Sequence, residues 1–439
     1  MQVFKFGGTS VGTPERMKDV SKLITADGMP KIVVLSAMSG TTNCLVEVAE
    51  YLRIGNPEAA GNVLNGLRRK YREHVPNLYA TEEKQIEARE LLDNIFLELH
   101  DCRALKYTDA VQKDVLSKGE IMSTNMVTLY LRECGVKACL LPALEFMRKA
   151  KNGEPDMLYI REHLNALLKK NPGYDIYITQ GFICRNSDGD VDNLERGGSD
   201  YTATLIGAAI RSDEVQIWTD IDGMHNNDPR FVEGTTPVRQ LNFEESAELA
   251  YFGAKILHPT CIQPARYMGV PVRLKNTMDP AAPGTIINNE MIGGTIKAVA
   301  AKDNITAIKI VSSRMLLASG FLSKIFSIFD RYKTSIDMIT TSEVGVSLTI
   351  DNTSHLAAIV ERLKKIGTVQ VDTNMCIICV VGDLRAENTG FETIATEALK
   401  NVPLRMISYG GSNHNISFLV SMDDKKEALE SLQRTLFNQ

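Results

Sequence analysis

With 439 residues the chain has the length of roughly three ordinary domains, ample for large buried cores. Its hydrophobic fraction of 44%, charged fraction of 23% and net charge of -5 suit a globular protein and argue against a nucleic-acid or anionic-membrane partner. No apolar run nears the ~20 residues of a membrane span, and the N-terminus lacks a signal-peptide pattern, so the expected location is cytoplasmic.

Residues 3–6 read as a short apolar strand with Lys5 set into it. Gly7 and Gly8 break the strand, and Thr9 and Ser10 precede a polar segment with Pro14 placed to start a helix. Glycines let backbone N–H groups approach an anion, a helix N-terminus adds positive dipole, and Lys5 adds a full charge. The same residues also suit a plain tight turn, and they match neither G-x-x-x-x-G-K-[ST] nor G-x-G-x-x-G.

Residues 31–36 (KIVVLS) form a second strand that runs into Ala37-Met-Ser-Gly-Thr-Thr42-Asn43. Apolar strands that end in Ser/Thr/Gly loops and feed helices are the rhythm of a parallel α/β sheet with ligands at strand carboxyl ends. Residues 45–105 read as helical, interrupted only at Pro57 and Pro76, and residues 108–133 as a helix containing Gly119-Glu120. Strands are expected at 136–141 and 174–179 with a polar helix at 158–170 between them, followed by a loop or hairpin over 180–195.

Arg196-Gly-Gly-Ser199-Asp200 then opens an Ala-rich helix, a second Gly-Gly element at a helix N-terminus, with Ser199 and Asp200 as its expected cap. Residues 214–219 form a strand ending in Asp220-Ile-Asp222-Gly223, and Asp228-Pro-Arg230 forms a turn. Lys255 lies between apolar neighbours, where a lysine needs an anionic partner. A further strand covers 270–274. Eight scattered cysteines, without a second C-x-x-C pair, read as buried reduced thiols.

Beyond about residue 297 the chain repeats itself. Gly320-Phe321 recurs as Gly390-Phe391, 70 residues on, and the strand at 346–350 recurs at 416–420. Each copy runs helix, strand, turn, strand, helix after an apolar strand, the βαββαβ order of a ferredoxin-like unit.

Taken together, Lys5-Phe-Gly-Gly-Thr-Ser-Val11, Ser36-Ala-Met-Ser-Gly-Thr-Thr42-Asn43, Ser117-Lys-Gly-Glu120, Gln180-Gly-Phe182 and Arg196-Gly-Gly-Ser199-Asp200 resemble the aspartate kinases of the amino-acid kinase superfamily. Trp218-Thr-Asp220, Asp228-Pro-Arg230 and Phe252-Gly-Ala-Lys255 extend the resemblance, and the tail is similar to that family's paired ACT domains. The fold implied is α/β, a mostly parallel kinase sheet followed by two ferredoxin-like ACT units. The catalytic domain is expected at 1–297 and the regulatory region at 298–439, with ACT units near 304–382 and 383–439, the latter borrowing a strand near 295–301. The length suits a monofunctional member.

The activity implied is transfer of the γ-phosphoryl of ATP, with Mg²⁺, to the β-carboxylate of L-aspartate. By resemblance Lys5 and Asp200 are catalytic, and Thr42, Glu120, Arg196 and Ser199 hold the substrate. Lys5, Gly7, Gly8, Ser10, Thr219, Asp220, Arg230 and Lys255 hold the nucleotide. Met315, Phe321, Leu322, Ser335, Asp337, Thr341 and Glu343 resemble the effector pocket of lysine-inhibited members, with threonine as the alternative effector and an ACT-linked homodimer as the assembly. One departure is Met224-His225, where many relatives carry tyrosine after the Asp-Gly. Rival readings are a kinase for another small acid and an ACT-based amino-acid sensor with a decayed kinase domain.

Overall fold

A computed structural model describes residues 1–195, 197–253, 257–313, 319–385 and 387–437. They form two compact units, Met1–Met224 with Leu257–Asn289, and His225–Ile256 with Glu290–Gln439. Residues 225–256 thus group with the C-terminal part, although they lie far before residue 297 in the sequence.

The chain opens with β1 (Gln2–Phe6), α1 (Pro14–Thr25), β2 (Lys31–Leu35) and α2 (Thr41–Arg53). The helical excursion resolves into α3 (Pro57–Leu78), α4 (Glu82–Asp101) and α5 (Asp109–Glu133). Next come β3 (Ala138–Leu141), α6 (Met157–Lys170), β4 (Ile176–Gln180), the hairpin β5 (Ile183–Arg185) and β6 (Val191–Asn193), α7 (Gly198–Ile210) and β7 (Val215–Thr219). After β8 (Gln240–Asn242) and α8 (Phe243–Tyr251), which belong to the second unit, the first unit resumes with α9 (Pro259–Met268), β9 (Val272–Asn276) and β10 (Thr285–Asn288).

The main sheet of the first unit runs β3-β4-β2-β1-β7-β9-β10, parallel throughout except for the last pair. Parallel strands are covered on both faces, and β2 is buried at every position, as its unbroken KIVVL run requires. Phe4 and Phe6 meet Trp218 across the central pair, the Phe6 and Trp218 rings stacking at 5.7 Å. Thr13 caps α1 by accepting the Arg16 N–H, and Pro14 fits the first turn, where no N–H is needed. Pro57 likewise opens α3, but Pro76 lies inside the same helix, in its last turn, so only one of the two prolines is a boundary.

The second unit continues with β11 (Ile296–Val311), α10 (Phe321–Arg331), β12 (Ile339–Thr341), β13 (Gly345–Ile350), α11 (Leu356–Leu363) and β14 (Thr368–Gly382). It closes with α12 (Phe391–Ala398), β15 (Met406–Tyr409), β16 (Asn415–Ser421) and α13 (Lys425–Leu436). Its sheet runs β12-β13-β11-β14-β16-β15, and the long strands β11 and β14 pair antiparallel with shifts in register near Lys302–Ile305. The second half of β11 pairs with β13 and the second half of β14 with β16, so each long strand serves two βαββαβ units.

Asn304 and Asn374, 70 residues apart like the repeat, both take left-handed conformations where the strands pass between units, a backbone that asparagine tolerates better than most residues. The recurrent glycines Gly320 and Gly390 are the left-handed N-caps of α10 and α12. Ile378, fully buried in β14, packs in one apolar core with Val420 of β16 and Ala428 and Leu429 of α13. Ile378→Ala should cost about 2–5 kcal/mol in the second unit, read as an earlier transition in thermal melting.

The cysteines are mostly buried as expected, but Cys134, after the last turn of α5, is exposed and Cys44 is half-buried.

Candidate active site

The strand carboxyl ends of β1, β2, β4, β7 and β9 lie along one edge of a parallel sheet, the place where such sheets bind ligands. From β1 the Lys5 side chain reaches Asp200 in the first turn of α7, with Nζ 2.7 Å from Oδ1 and both side chains largely shielded, at 12% and 15% exposure. Gly7 and Gly8 follow at the strand end, and the Gly8 carbonyl accepts the Ser39 N–H at 3.1 Å, which ties this glycine loop to the loop after β2.

The expected cap of α7 is corrected by the backbone. Gly197, left-handed at φ 72, occupies the N-cap position without any side-chain cap, which places Ser199 and Asp200 inside the first turn and frees Asp200 for Lys5.

Glu120 is the most perturbed group in this region. It lies on α5 with 3% exposure, and its Oε1 accepts the Ala37 N–H at 3.3 Å. Its Oε2 is buried without a hydrogen-bond partner. Burial pushes the carboxyl up to about 8, with the Ala37 N–H pulling weakly the other way. Gly119 makes this approach possible, because a Cβ there would stand 2.9 Å from the Ala37 Cβ. A buried carboxyl oxygen with no donor costs free energy that an arriving donor recovers. Thr42, five residues after Ala37, lies half-buried in the first turn of α2.

Ser199 is fixed by the Ser36 hydroxyl, which donates to its Oγ at 3.0 Å. Gly181 leaves room for this contact, since a Cβ would fall 2.5 Å from Ser199 Oγ and 2.9 Å from its Cα. Gly181→Ala should therefore lower both thermal stability and kinase turnover, by at least tenfold for the latter, because backbone must move before Ser199 can regain its place. The adjoining Phe182 adopts φ 68, unusual for an aromatic residue, and its N–H donates to Thr202 Oγ1 at 3.0 Å.

Ser10 fastens the loop: its N–H donates to the Gly7 carbonyl at 3.0 Å, and its hydroxyl shares a hydrogen bond with Thr277 Oγ1 at 2.9 Å. Thr277, which sequence reading passed over, also donates its N–H to the Thr219 carbonyl at 2.8 Å. Its only sequence signal is its place directly after a strand, and the parallel pairing sets that strand beside β7. Thr219 ends β7 and Asp220 follows it, exposed.

The model of the amino acid kinase family matches residues 1–276, and that of an ACT domain matches residues 378–436. The chain belongs to the amino acid kinase family. Within it, the chain is 34% identical to the lysine-sensitive aspartokinase 3 of Escherichia coli, across 99% of both proteins. Among solved structures it resembles E. coli aspartokinase III in complex with aspartate and ADP (TM-score 0.82, 34% identity, 100% of both chains covered). It also resembles the same protein in complex with lysine and aspartate (TM-score 0.79, 35% identity, 100% of this chain and 99% of that one). This is an aspartokinase by family, an amino acid kinase fold followed by ACT domains, and a kinase by class.

Three residues expected in the aspartokinase sites, Arg196, Lys255 and Met315, lie outside the described residues. Arg230 belongs to the second unit, and its guanidinium is held by Asp228 (Nη2 to Oδ2 2.6 Å, Nε to Oδ1 2.9 Å) with 71% of the side chain exposed. Met224, after the Asp-Gly, is buried at 1% exposure and donates its N–H to Thr285 Oγ1, so its side chain serves packing. Of the expected effector residues, Phe321 is spent in the first ACT core beside Ile325 and Phe329, a packing residue. Leu322, Ser335, Thr341 and Glu343 are exposed. Asp337 stands apart, with its side chain only 1% exposed. Among the described residues no group of three His, Cys, Asp or Glu could hold a metal, and no helix is long and apolar enough to cross a membrane.

Proposed function

We propose that the chain is an aspartate kinase that transfers the γ-phosphoryl group of ATP to the β-carboxylate of L-aspartate, giving 4-phospho-L-aspartate and ADP. The observation that carries this reading is the Lys5–Asp200 pair at the glycine-loop edge of the sheet, together with the unsatisfied carboxylate oxygen of Glu120 on the same unit. Lys5 supplies charge for the transferring phosphoryl group, Asp200 orients it, and Gly7 and Gly8 leave backbone close to the phosphates. Thr219, Asp220, Arg230 and Lys255 complete the nucleotide contacts by family resemblance.

Glu120 takes the substrate ammonium, with Arg196 for the α-carboxylate and Thr42 and Ser199 for the remaining oxygens. The nucleophile needs no general base, since a carboxyl of ordinary pKa ~3.9 is ionised at neutral pH. Mg²⁺ brought with the nucleotide would supply charge neutralisation between the two anionic reactants.

We assign catalysis to residues 1–297 and regulation to 298–439, with lysine as effector and an ACT-linked homodimer in the cytoplasm as the working form. The paired Lys5 and Asp200 weigh against a sensor with a decayed kinase. ATP-dependent acyl-phosphate formation from L-aspartate, trapped as the hydroxamate with and without lysine, tests the reading. Product that lysine suppresses is the expected result. Product indifferent to lysine removes the effector assignment, and no product removes the kinase.

A further inference from the structure

Helix α8 is fastened to the C-terminal sheet at both ends. Near its start Glu244 Oε2 meets His414 Nε2 at 2.9 Å, and past its middle Glu248 Oε2 accepts from Asn415 Nδ2 at 2.5 Å, His414 and Asn415 standing just before and at the start of β16. At its end the Tyr251 hydroxyl donates to Asp337 Oδ1 at 2.7 Å. The backbone just beyond is pressed against β11, for Gly253 takes φ 117 and a Cβ there would lie 2.0 Å from the Ala301 carbonyl oxygen.

Asp337 is charged, buried and unevenly used. Its Oδ1 takes two donors, the Tyr251 hydroxyl and the Lys302 ammonium at 2.7 Å. Its Oδ2 is buried with no partner. Lys302 also reaches Asp351 at 3.0 Å and lies 4.4 Å over the Tyr251 ring, so the four side chains form one cluster drawn from α8, β11, the segment before β12 and the end of β13. A buried carboxylate oxygen without a donor costs free energy that an arriving donor recovers. A primary ammonium suits it best, since it brings charge as well as hydrogen bonds. Such an ammonium competes with Lys302 and Tyr251 for the same carboxylate, and Lys302 has Asp351 to fall back on.

We infer that Lys302 and Tyr251 are built-in competitors of the ammonium-bearing effector at Asp337, and that they set the effector concentration at which the enzyme responds. Resting on the assignment of Asp337 to the effector site, this makes the observed cluster the uninhibited arrangement. Effector binding draws Asp337 off Tyr251 and releases the end of α8. A ligand shifts such an equilibrium only by its difference in affinity for the two arrangements, and here the difference is the ownership of one carboxylate. Weakening the internal donors lowers what the effector must displace, which tightens its apparent binding.

The test uses full-length protein and L-lysine as the probe, with inhibition followed by hydroxamate formation and binding by calorimetry. Tyr251→Phe and Lys302→Met should each lower the half-inhibitory lysine concentration and the lysine Kd together, by about five- to tenfold. Activity without lysine should stay within about threefold of wild type. A merely structural role would lower melting temperature and basal activity while leaving the half-inhibitory concentration in place. If both variants respond at the wild-type concentration, or need more lysine, the competition is overturned and the effector site stands. If the wild-type protein neither binds lysine nor is inhibited by it, the effector assignment fails and the competition falls with it.

Discussion

Lys5→Met should reduce kcat roughly 10³-fold while leaving the fold intact. Lys5 sits on a strand paired on both sides, to β2 and β7, so its backbone is held by the sheet and its ammonium by Asp200. That arrangement is paid for in folding and needs no reorganisation when the phosphoryl group passes between two anionic oxygens. Removing the ammonium deletes the charge and also leaves the Asp200 carboxylate, 15% exposed, facing an incoming triphosphate without its partner. The loss should therefore appear in kcat and in the ATP KM together. Asp200→Asn, which keeps Lys5 but loosens its hold, should cost less, about tenfold to a hundredfold in kcat. Steady-state kinetics at saturating aspartate, with circular dichroism as the control for folding, separates these outcomes. A Lys5→Met protein retaining more than a tenth of wild-type kcat would remove Lys5 from the chemistry.

Much of the scaffold behind this site was legible in the sequence because it is encoded locally. The runs at 31–36 and 214–219 are β-branched and apolar, and they became β2 and β7 within a residue at each end. The 70-residue repeat was visible because Gly320 and Gly390 are both needed as left-handed N-caps, a requirement that preserves the residue type. The paired Asn304 and Asn374 obey the same rule, yet asparagine is common enough in ordinary turns to pass unnoticed.

What the sequence withheld is mostly the choice of hydrogen-bond partner. Ser10 in a glycine loop reads as a phosphate contact, and nothing local shows that the sheet sets Thr277 Oγ1 within hydrogen-bond reach of its hydroxyl. Ser199 and Asp200 are good capping residues by type, but Gly197, with its left-handed backbone, takes the cap, and the helix starts two or three residues earlier than those side chains suggest. Residues 225–256 carry motifs of the kinase part and nevertheless pack with the C-terminal unit, a tertiary choice with no local signature. Asn242 and Glu245, the capping box that begins α8 there, can be read as a helix start but not as the start of a helix that belongs elsewhere.

Glu120→Gln should raise the aspartate KM on the order of 100-fold, the scale of losing one partner from a buried charge pair. The reasoning starts from the ligand-free protein, where burial holds the carboxyl at about 8 against an ordinary 4.5. At pH 7 the group is then mostly protonated. An ammonium arriving at the unpartnered Oε2 favours the ionised form, so aspartate binding near pH 7 should expel close to one proton. Calorimetry in two buffers of different ionisation enthalpy measures that proton. It should shrink above pH 8, where the carboxyl is already ionised, and vanish in Glu120→Gln.

Stability supplies a second reading of the same group with a definite sign. Between 4.5 and about 8 the folded protein holds a proton at Glu120 that the unfolded chain has released, so stability from this group is complete below 4.5 and is lost as pH rises through 8. The glutamine variant carries no such proton. Without ligand it should therefore gain on wild type in melting temperature progressively from pH 5 to pH 8.5, even as it loses aspartate affinity. A substitution that strengthens the empty protein while emptying its substrate site would mark Glu120 as a group kept buried at a cost to the fold, for the sake of the ammonium it receives. A melting difference that stays flat across that pH range, with no proton released on binding, would place the carboxyl in ordinary ionised surroundings and move the ammonium seat elsewhere.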